Sequence, residues 1–199
     1  IDEGLVGSEM CIRDSIKLDG EAKRVPDFLM HNQDSLLISN EDYLGKVYVA
    51  EFFFSRCPTI CPIMNRNMKI LDDRFWKRQD FGIASFTIDP AHDTPLILKE
   101  YSQRYKVKSQ NWHFLNDEKD QIYKLANSGF SIFASINPEV AGGFEHQGYF
   151  ALIDKKGYLR SRLDRFDNPI VYYLGIDRED QDTQGVEMLL EDIELLLKE

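Results

Sequence analysis

The chain has 199 residues and a formal net charge of −10, and 43% of its residues are hydrophobic and 29% charged. This length and composition are typical of one globular domain with a substantial core. The acidic balance argues against nucleic acid and anionic membrane surfaces as partners, and no segment reaches the roughly 18 apolar residues that a transmembrane helix needs.

The first fifteen residues are treated separately from the fold. Residues 4–15 match no element pattern, and the stretch lacks the basic start and apolar centre of a signal peptide. We expect residues 1–15 to be a non-native or disordered tail in which Cys11 has no role. Residues 16–199 are expected to form a single domain. Because the chain does not begin with Met, we expect the natural N-terminus to lie outside it.

Short elements are predicted before the core of the domain begins. Residues 16–21 and 36–39 have the pattern of short strands, and a single helical turn at residues 41–44 is predicted to end at Gly45. The apolar run at residues 47–54 has the length and the β-branched and aromatic content of a buried strand. This run is the predicted centre of the fold.

Two cysteines follow the buried strand, Cys57 and Cys61, four residues apart. Pro58 suits the first turn of a helix, so a helix is predicted from Pro58 to about residue 77. In such a helix the two cysteines lie one turn apart on the same face, near the N-terminus, where the macrodipole favours the thiolate. The pattern therefore predicts a reactive dithiol.

The rest of the chain alternates strands and helices. We predict a strand at 81–88, a helix starting at Thr94 and Pro95, and a strand at 112–115. A helix capped by Asn116 or Asp117 is predicted to end near residue 128, and a loop follows at 129–143. The chain then continues with a hairpin of 149–153 and 158–163, a long polar connection at 165–184 and an amphipathic helix at 186–197. This order is typical of a thioredoxin-like α/β fold, a central mixed sheet flanked by helices.

Three segments, in this order, carry a resemblance to a known family. Residues 53–62 read Phe-Phe-Ser-Arg-Cys-Pro-Thr-Ile-Cys-Pro, residues 87–95 read Thr-Ile-Asp-Pro-Ala-His-Asp-Thr-Pro, and His146 precedes the hairpin strand at 149–153. They resemble the Cys-Pro-x-x-Cys-Pro motif, the Val-Asp-Pro-x-x-Asp-Thr-Pro segment and the lone histidine of the SCO/SenC copper chaperones for cytochrome c oxidase. The similarity runs from about Val25 to the C-terminus.

The resemblance implies a metal site and the SCO type of thioredoxin-like fold, with extra N-terminal strands and loops. Its ligands would be Cys57, Cys61 and His146, and its cargo copper, as Cu(I) or Cu(II). Thiolates suit Cu(I), and imidazole suits copper in either oxidation state. We expect His146 to lie on a mobile, glycine-flanked loop. Asp89 and Asp93 are expected to steer or hydrogen-bond the ligands, whereas His92 is interpreted as an exposed turn residue.

The resemblance also implies a function and a location. The function is delivery of copper to the dinuclear copper site of cytochrome c oxidase, with the copper-bearing subunit as partner and another copper or thiol-reducing protein as an additional candidate. The location is the cell envelope, on the periplasmic side, on a membrane anchor in an N-terminal segment outside this chain.

A second function stays open at this point. The same two thiols could reduce the cysteines of the oxidase copper site as a thiol-disulfide oxidoreductase, because bound Cu(I) and a disulfide are alternative states of one pair. Whether the chain is an enzyme is therefore undecided. The three-residue spacing between the cysteines, and the absence of proline from residues 145–148, favour metal binding over thioredoxin-type reduction.

Overall fold

The computed structural model describes residues 12–13, 17–18 and 21–199. Its strands are β1 (Ile12–Arg13), β2 (Lys17–Leu18), β3 (Glu21–Ala22), β4 (Leu29–His31), β5 (Leu37–Ser39), β6 (Val47–Phe53), β7 (Phe81–Thr87), β8 (Trp112–Leu115), β9 (Ala134–Ile136), β10 (Phe144–His146), β11 (Tyr149–Ile153), β12 (Leu159–Leu163), β13 (Pro169–Ile170) and β14 (Tyr173–Leu174). Its helices are a 3₁₀ turn (Asn40–Tyr43), α1 (Cys61–Phe75), α2 (Pro95–Arg104), α3 (Lys119–Lys124), a π-helix (Leu125–Phe130) and α4 (Gly185–Leu196).

A mixed sheet forms the core, with the order β1-β12-β11-β6-β7-β8; β13 pairs with β12 and β14 with β11. Strand β6 pairs in parallel with β7 and antiparallel with β11. Every residue of β6 and β7 is buried, as expected where both faces of parallel strands are covered. The predicted thioredoxin-like fold, a mixed sheet flanked by helices, is confirmed.

The two faces of β6 meet different helices. The crossovers from β6 to β7 through α1 and from β7 to β8 through α2 run in the same direction along the sheet. Right-handed crossovers therefore place α1 and α2 on one face. The ring of Phe53 packs 5.3 Å from that of Tyr101 in α2, whereas Phe52 packs 5.6 Å from Phe130 of the π-helix. The face that carries Phe53 is thus the one that α1 and α2 cover.

Several predicted elements are confirmed at nearly their predicted bounds. Strands β8 and β11 match residue for residue, and the closing helix α4 begins and ends one residue early. Helix α2 begins at Pro95, with Thr94 as its N-cap accepting the N–H of Ile97 at 3.5 Å. Within the described residues, no helix is long and apolar enough to cross a bilayer.

The described part of the predicted N-terminal tail, residues 12–13, is a paired strand. Ile12 and Arg13 form β1, in register with Arg162 and Ser161 of β12, although residues 4–15 were expected to join no element. An open sheet edge pairs through main-chain groups alone, so any extended segment can occupy it without a strand-like sequence pattern. Cys11 lies outside the described residues. The division of the chain into a tail at 1–15 and a domain at 16–199 stays a prediction.

The segment after β8 also differs from its prediction. The helix is capped at Glu118, and it continues beyond α3 as the π-helix to Phe130. Asn116 does not act as the cap because its side-chain amide donates to the carbonyls of Pro90 and Asp93 at 3.2 and 2.6 Å. The predicted loop at 129–143 contains β9, and the polar connection at 165–184 contains β13 and β14.

Candidate metal centre

The turn between β6 and α1 places the two cysteines in different settings. Helix α1 begins at Cys61, with Ile60 as its N-cap, so Cys57 lies in the preceding turn. The predicted start at Pro58 is wrong for a specific reason. A helix that began there would need the N–H of residue 62 to bond the carbonyl of residue 58, and Pro62 has no N–H. Pro62 instead occupies the first turn of α1.

Cys57, Cys61 and His146 form one cluster. Their two sulfur atoms and one ring nitrogen of the histidine all lie within 4.8 Å of one another, and Cys61 Sγ is 3.2 Å from His146 Nε2. Both cysteines are free thiols and buried, 8% exposed at Cys57 and 0% at Cys61. The structure thus brings together the three residues proposed as ligands. Their role as copper ligands stays a prediction.

The hydrogen bond of His146 determines its tautomer. Its Nδ1 lies 3.1 Å from the carbonyl oxygen of Gln147. A carbonyl oxygen only accepts hydrogen bonds, so Nδ1 carries the proton. In the neutral ring, Nε2 then presents its lone pair towards Cys61. This is the form of imidazole that binds metals, with the other ring nitrogen held by a main-chain acceptor.

His146 lies on a paired strand, which corrects the predicted loop. It is the last residue of β10, in register with Ala134 of β9. Next to it, the main-chain N–H of Gln147 donates to the carbonyl of Phe133 at 3.0 Å, and its side-chain oxygen accepts the N–H of Phe133 at 2.9 Å. The glycines before it form the turn of this hairpin, where positive φ values of 90° and 81° at Gly142 and Gly143 favour glycine.

The two thiols have opposite pKa shifts. The hydrogen bond from Cys61 lowers the pKa of Cys57 to about 3, although burial opposes it. Burial, and then the hydrogen bond to Cys57, raise the pKa of Cys61 well above its usual range. Cys57 is therefore the thiolate of the pair and Cys61 the hydrogen-bond donor. Cys57 already has the form that binds metals and attacks disulfides, whereas Cys61 must first lose a proton.

Asp93 anchors the turn that carries Cys57. Its fully buried carboxylate accepts the main-chain N–H of Ser55 at 3.0 Å, the hydroxyl of Thr87 at 2.5 Å and the hydroxyl of Ser55. His92 Nδ1 lies 2.9 Å from the same carboxylate, so His92 is more than the exposed turn residue that was expected. Asp93 thus fixes Ser55, two residues before Cys57. A role in steering the ligands stays a hypothesis.

Asp89 reaches the same turn through a different residue. Its carboxylate accepts from Arg56 Nε at 2.7 Å, and the guanidinium of Arg56 also lies 5.9 Å from the ring centroid of Phe144. Phe144 begins the strand that ends at His146. Asp89 therefore acts on the residue beside Cys57. That it steers or hydrogen-bonds the ligands themselves stays a prediction.

One buried charged residue of β6 was missed by the sequence analysis. Glu51 stands in the middle of the apolar run that forms β6, and it is fully buried. Glutamate is almost never fully buried unless it is paired. The isolated charge within a buried strand was itself the signal that could have found it.

The fold and the cluster define a thioredoxin-like protein with a dithiol and histidine site. The model of the SCO1/SenC family matches residues 17–179. The chain therefore belongs to the SCO1/SenC family, which confirms the resemblance. The SCO1 protein homolog of Bacillus subtilis is 33% identical over 146 residues, which cover 72% of this chain and 75% of that protein.

Solved structures agree with this assignment. A SCO1/SenC family lipoprotein from Bacillus anthracis is 28% identical with a TM-score of 0.73, covering 87% of this chain and 95% of that one. BsSco is a member of the Sco family of cytochrome c oxidase assembly proteins and has an identified disulfide switch. It is 27% identical with a TM-score of 0.70, and the match covers 92% of this chain and 95% of that one. ScoI of Bradyrhizobium japonicum with copper bound shares the fold. It is 18% identical with a TM-score of 0.66, and the match covers 87% of this chain and 98% of that one.

Proposed function

We propose that this chain binds copper through Cys57, Cys61 and His146 and delivers it to the dinuclear copper site of cytochrome c oxidase. The observation that carries the proposal is the cluster of two sulfur atoms and a ring nitrogen within 4.8 Å of one another. Two thiolates and an imidazole are donors that suit Cu(I). Structural zinc sites almost always have four ligands, and this cluster has three among the described residues.

The cavity over the cluster also suits a metal ion that is passed on to a partner protein. A cavity of about 250 Å³ lies over it, lined by Cys57, His146 and mainly apolar neighbours that include Ile60, Val140 and Phe144. A donor must release its cargo to a partner that approaches the site. A cavity that reaches two of the three ligands provides the route for that exchange.

The relatives support the same function. BsSco belongs to the Sco family of cytochrome c oxidase assembly proteins, and ScoI of Bradyrhizobium japonicum holds copper. By analogy, the partner of this chain is the copper-bearing subunit of the oxidase. The lipoprotein relative supports a location on the periplasmic side of the cell envelope, on an N-terminal anchor.

A second candidate function rests on the asymmetry of the thiols. The lowered pKa of Cys57 and the raised pKa of Cys61 are the shifts of an attacking thiolate and a resolving thiol. Cys57 would attack a disulfide of the target, and Cys61 would then attack the mixed disulfide. The target leaves as a dithiol, and the two electrons that it gains come from the pair, which becomes a disulfide.

Anaerobic Cu(I) titration of the reduced protein tests the first function. All variants carry Cys11→Ser, so that Cys57 and Cys61 are their only thiols. We expect the parent to bind one copper per chain. His146→Ala should weaken binding by at least about 10- to 100-fold, because loss of an outer partner of a metal ligand already has an effect of that size.

The matched control is His31→Ala, because His31 is an exposed residue of β4 outside the cluster. It should bind copper like the parent. Equal affinity of His146→Ala and the parent would remove His146 from the ligand set. The dithiol would then be better explained by the redox function, and its reduction potential against glutathione buffers would be the next measurement.

A further inference from the structure

The strand that carries His146 belongs to a small sheet of its own. Strands β9 and β10 have three residues each and form a two-stranded sheet, separate from the mixed sheet of the core. A hairpin of two short strands is at best marginally stable in water. On one side the ring of Phe144 packs 5.2 Å from that of Phe54. The hairpin therefore needs further support if it is to hold His146 in one place.

Asn127 supplies support at the outer edge of β9. It lies in the π-helix, and after that helix the chain turns back, with the main-chain N–H of Ile132 donating to the carbonyl of Ala126 at 2.9 Å. The turn brings Ala134 against Asn127. Asn127 Oδ1 accepts the N–H of Ala134 at 3.0 Å, and Nδ2 donates to the carbonyl of Ala134 at 3.0 Å. The carboxamide thus bonds both main-chain groups of one residue, as a neighbouring strand does.

Ala134 is the residue that stands opposite His146 in the hairpin. Both main-chain groups of Ala134 point to Asn127, so this pair is of the kind that exchanges no main-chain hydrogen bonds and in which the two residues approach most closely. The next pair is bonded, because the N–H of Gln147 donates to the carbonyl of Phe133 at 3.0 Å. A displacement of Ala134 would therefore displace His146.

The carboxamide of Asn127 is itself held by the helix that carries it. Nδ2 also donates to the carbonyl of Tyr123 at 3.0 Å, and the hydroxyl of Tyr123 donates to the carbonyl of Ile88 at 2.9 Å. In these contacts the nitrogen only donates and the oxygen only accepts, so a single orientation of the carboxamide satisfies them all. Ile88 is a buried core residue. Asn127 therefore connects β9 to the core of the domain.

We propose that Asn127 is a positioning residue for His146. By holding β9 from its outer edge, it keeps the hairpin in place and His146 Nε2 close to the cysteines, 3.2 Å from Cys61 Sγ, before a metal arrives. A ligand that is already in position loses less conformational freedom on binding, and the affinity rises accordingly. The inference rests on the proposed function through the role of His146 as a ligand, whereas the hold of Asn127 on the hairpin does not depend on copper.

Amide hydrogen exchange of the reduced, metal-free protein tests the hold on the hairpin. Asn127 is exposed and helical, and alanine is the best helix former, so Asn127→Ala should fold. Opening of the hairpin exposes the N–H of Gln147. Its exchange should become about 10-fold faster, the factor that corresponds to one or two net hydrogen bonds. The N–H of His31, which donates to the carbonyl of Asn116 at 3.0 Å, should exchange as in the parent.

Cu(I) titration in two backgrounds tests whether the effect reaches the site through His146. Asn127→Ala should lower the affinity of the parent by about 3- to 10-fold, less than the roughly 10- to 100-fold effect of a residue that bonds a ligand directly. In a His146→Ala protein the same substitution should change nothing, because no imidazole remains to be positioned. The matched control is Asn168→Ala, which removes an exposed amide that donates to Asp164 at 3.1 Å outside the cluster.

Parental exchange at Gln147 in the Asn127→Ala protein would overturn the proposal. So would an equal loss of affinity in both backgrounds, which is the result expected of a merely structural residue. If the parent binds copper and Asn127→Ala binds it equally well, the copper function stands and the positioning role is refuted. A parent that binds no copper would refute the proposed function instead, and the exchange measurement would still decide whether Asn127 holds the hairpin.

Discussion

Replacing Cys61 by serine is expected to lower the affinity for Cu(I) by more than about 100-fold, beyond the scale of single outer partners at metal sites. Cys61 is 0% exposed and faces His146 Nε2 at 3.2 Å. A serine hydroxyl stays protonated and is a hard donor, so it does not replace a thiolate for a soft cation. Serine is tolerated at the start of a helix. The variant should therefore keep its fold and lose a ligand.

Competition with a coloured Cu(I) chelator under anaerobic conditions measures this loss. Cys57→Ser should show a loss of similar size, because the cluster then also retains only one sulfur. His31→Ala serves as the matched control for a substitution outside the cluster. Thermal unfolding of the metal-free proteins confirms that each variant is folded. A Cys61→Ser protein with the affinity of the parent would contradict the ligand assignment.

Replacing Asp93 by alanine is expected to lower the free energy of unfolding by about 3–6 kcal/mol, because a hydrogen bond to a charged group contributes about 1.5–3 kcal/mol and at least two are lost. The carboxylate accepts hydrogen bonds from Ser55 and Thr87 and lies 2.9 Å from His92 Nδ1. Its removal leaves the buried hydroxyl of Thr87 without this acceptor and frees the turn before Cys57. Both effects destabilise the folded state.

Urea unfolding of the metal-free protein measures this change. The control is Asp73→Ala, which also removes an aspartate from ion pairs but at an exposed position, beside Lys69 and Lys108. Exposed pairs of this kind contribute about 1 kcal/mol or less. If Asp93→Ala were no less stable than Asp73→Ala, the buried network would have no structural importance.

The local features of the sequence were sufficient to predict the core of the fold. The apolar run at 47–54 predicted β6 because a fully buried strand has few other interpretations, and Thr94 with Pro95 predicted the start of α2 because capping depends on adjacent residues. The helix start at Cys61 was missed although the decisive residue, Pro62, was present in the sequence. Its missing N–H excludes a helix that begins at Pro58.

The remaining errors concern contacts between distant parts of the chain. His146 was placed near the cysteines by resemblance alone, because 85 residues separate it from Cys61 and no periodicity links them. Its strand β10 pairs through main-chain groups, which leave little trace in a polar sequence. The same holds for β1, β13 and β14, each only two residues long. Glu51 was overlooked although its charge within the apolar run is visible in the sequence, because the run keeps the length of a buried strand.

Cys57, Cys61 and His146 are proposed to hold one copper ion together. X-ray absorption spectroscopy of the Cu(I)-loaded protein tests it most directly, with the parent and His146→Ala measured side by side. We expect two sulfur neighbours and one nitrogen neighbour around copper in the parent, and loss of the nitrogen in the variant. Copper with sulfur neighbours only, and identical spectra for the two proteins, would contradict it.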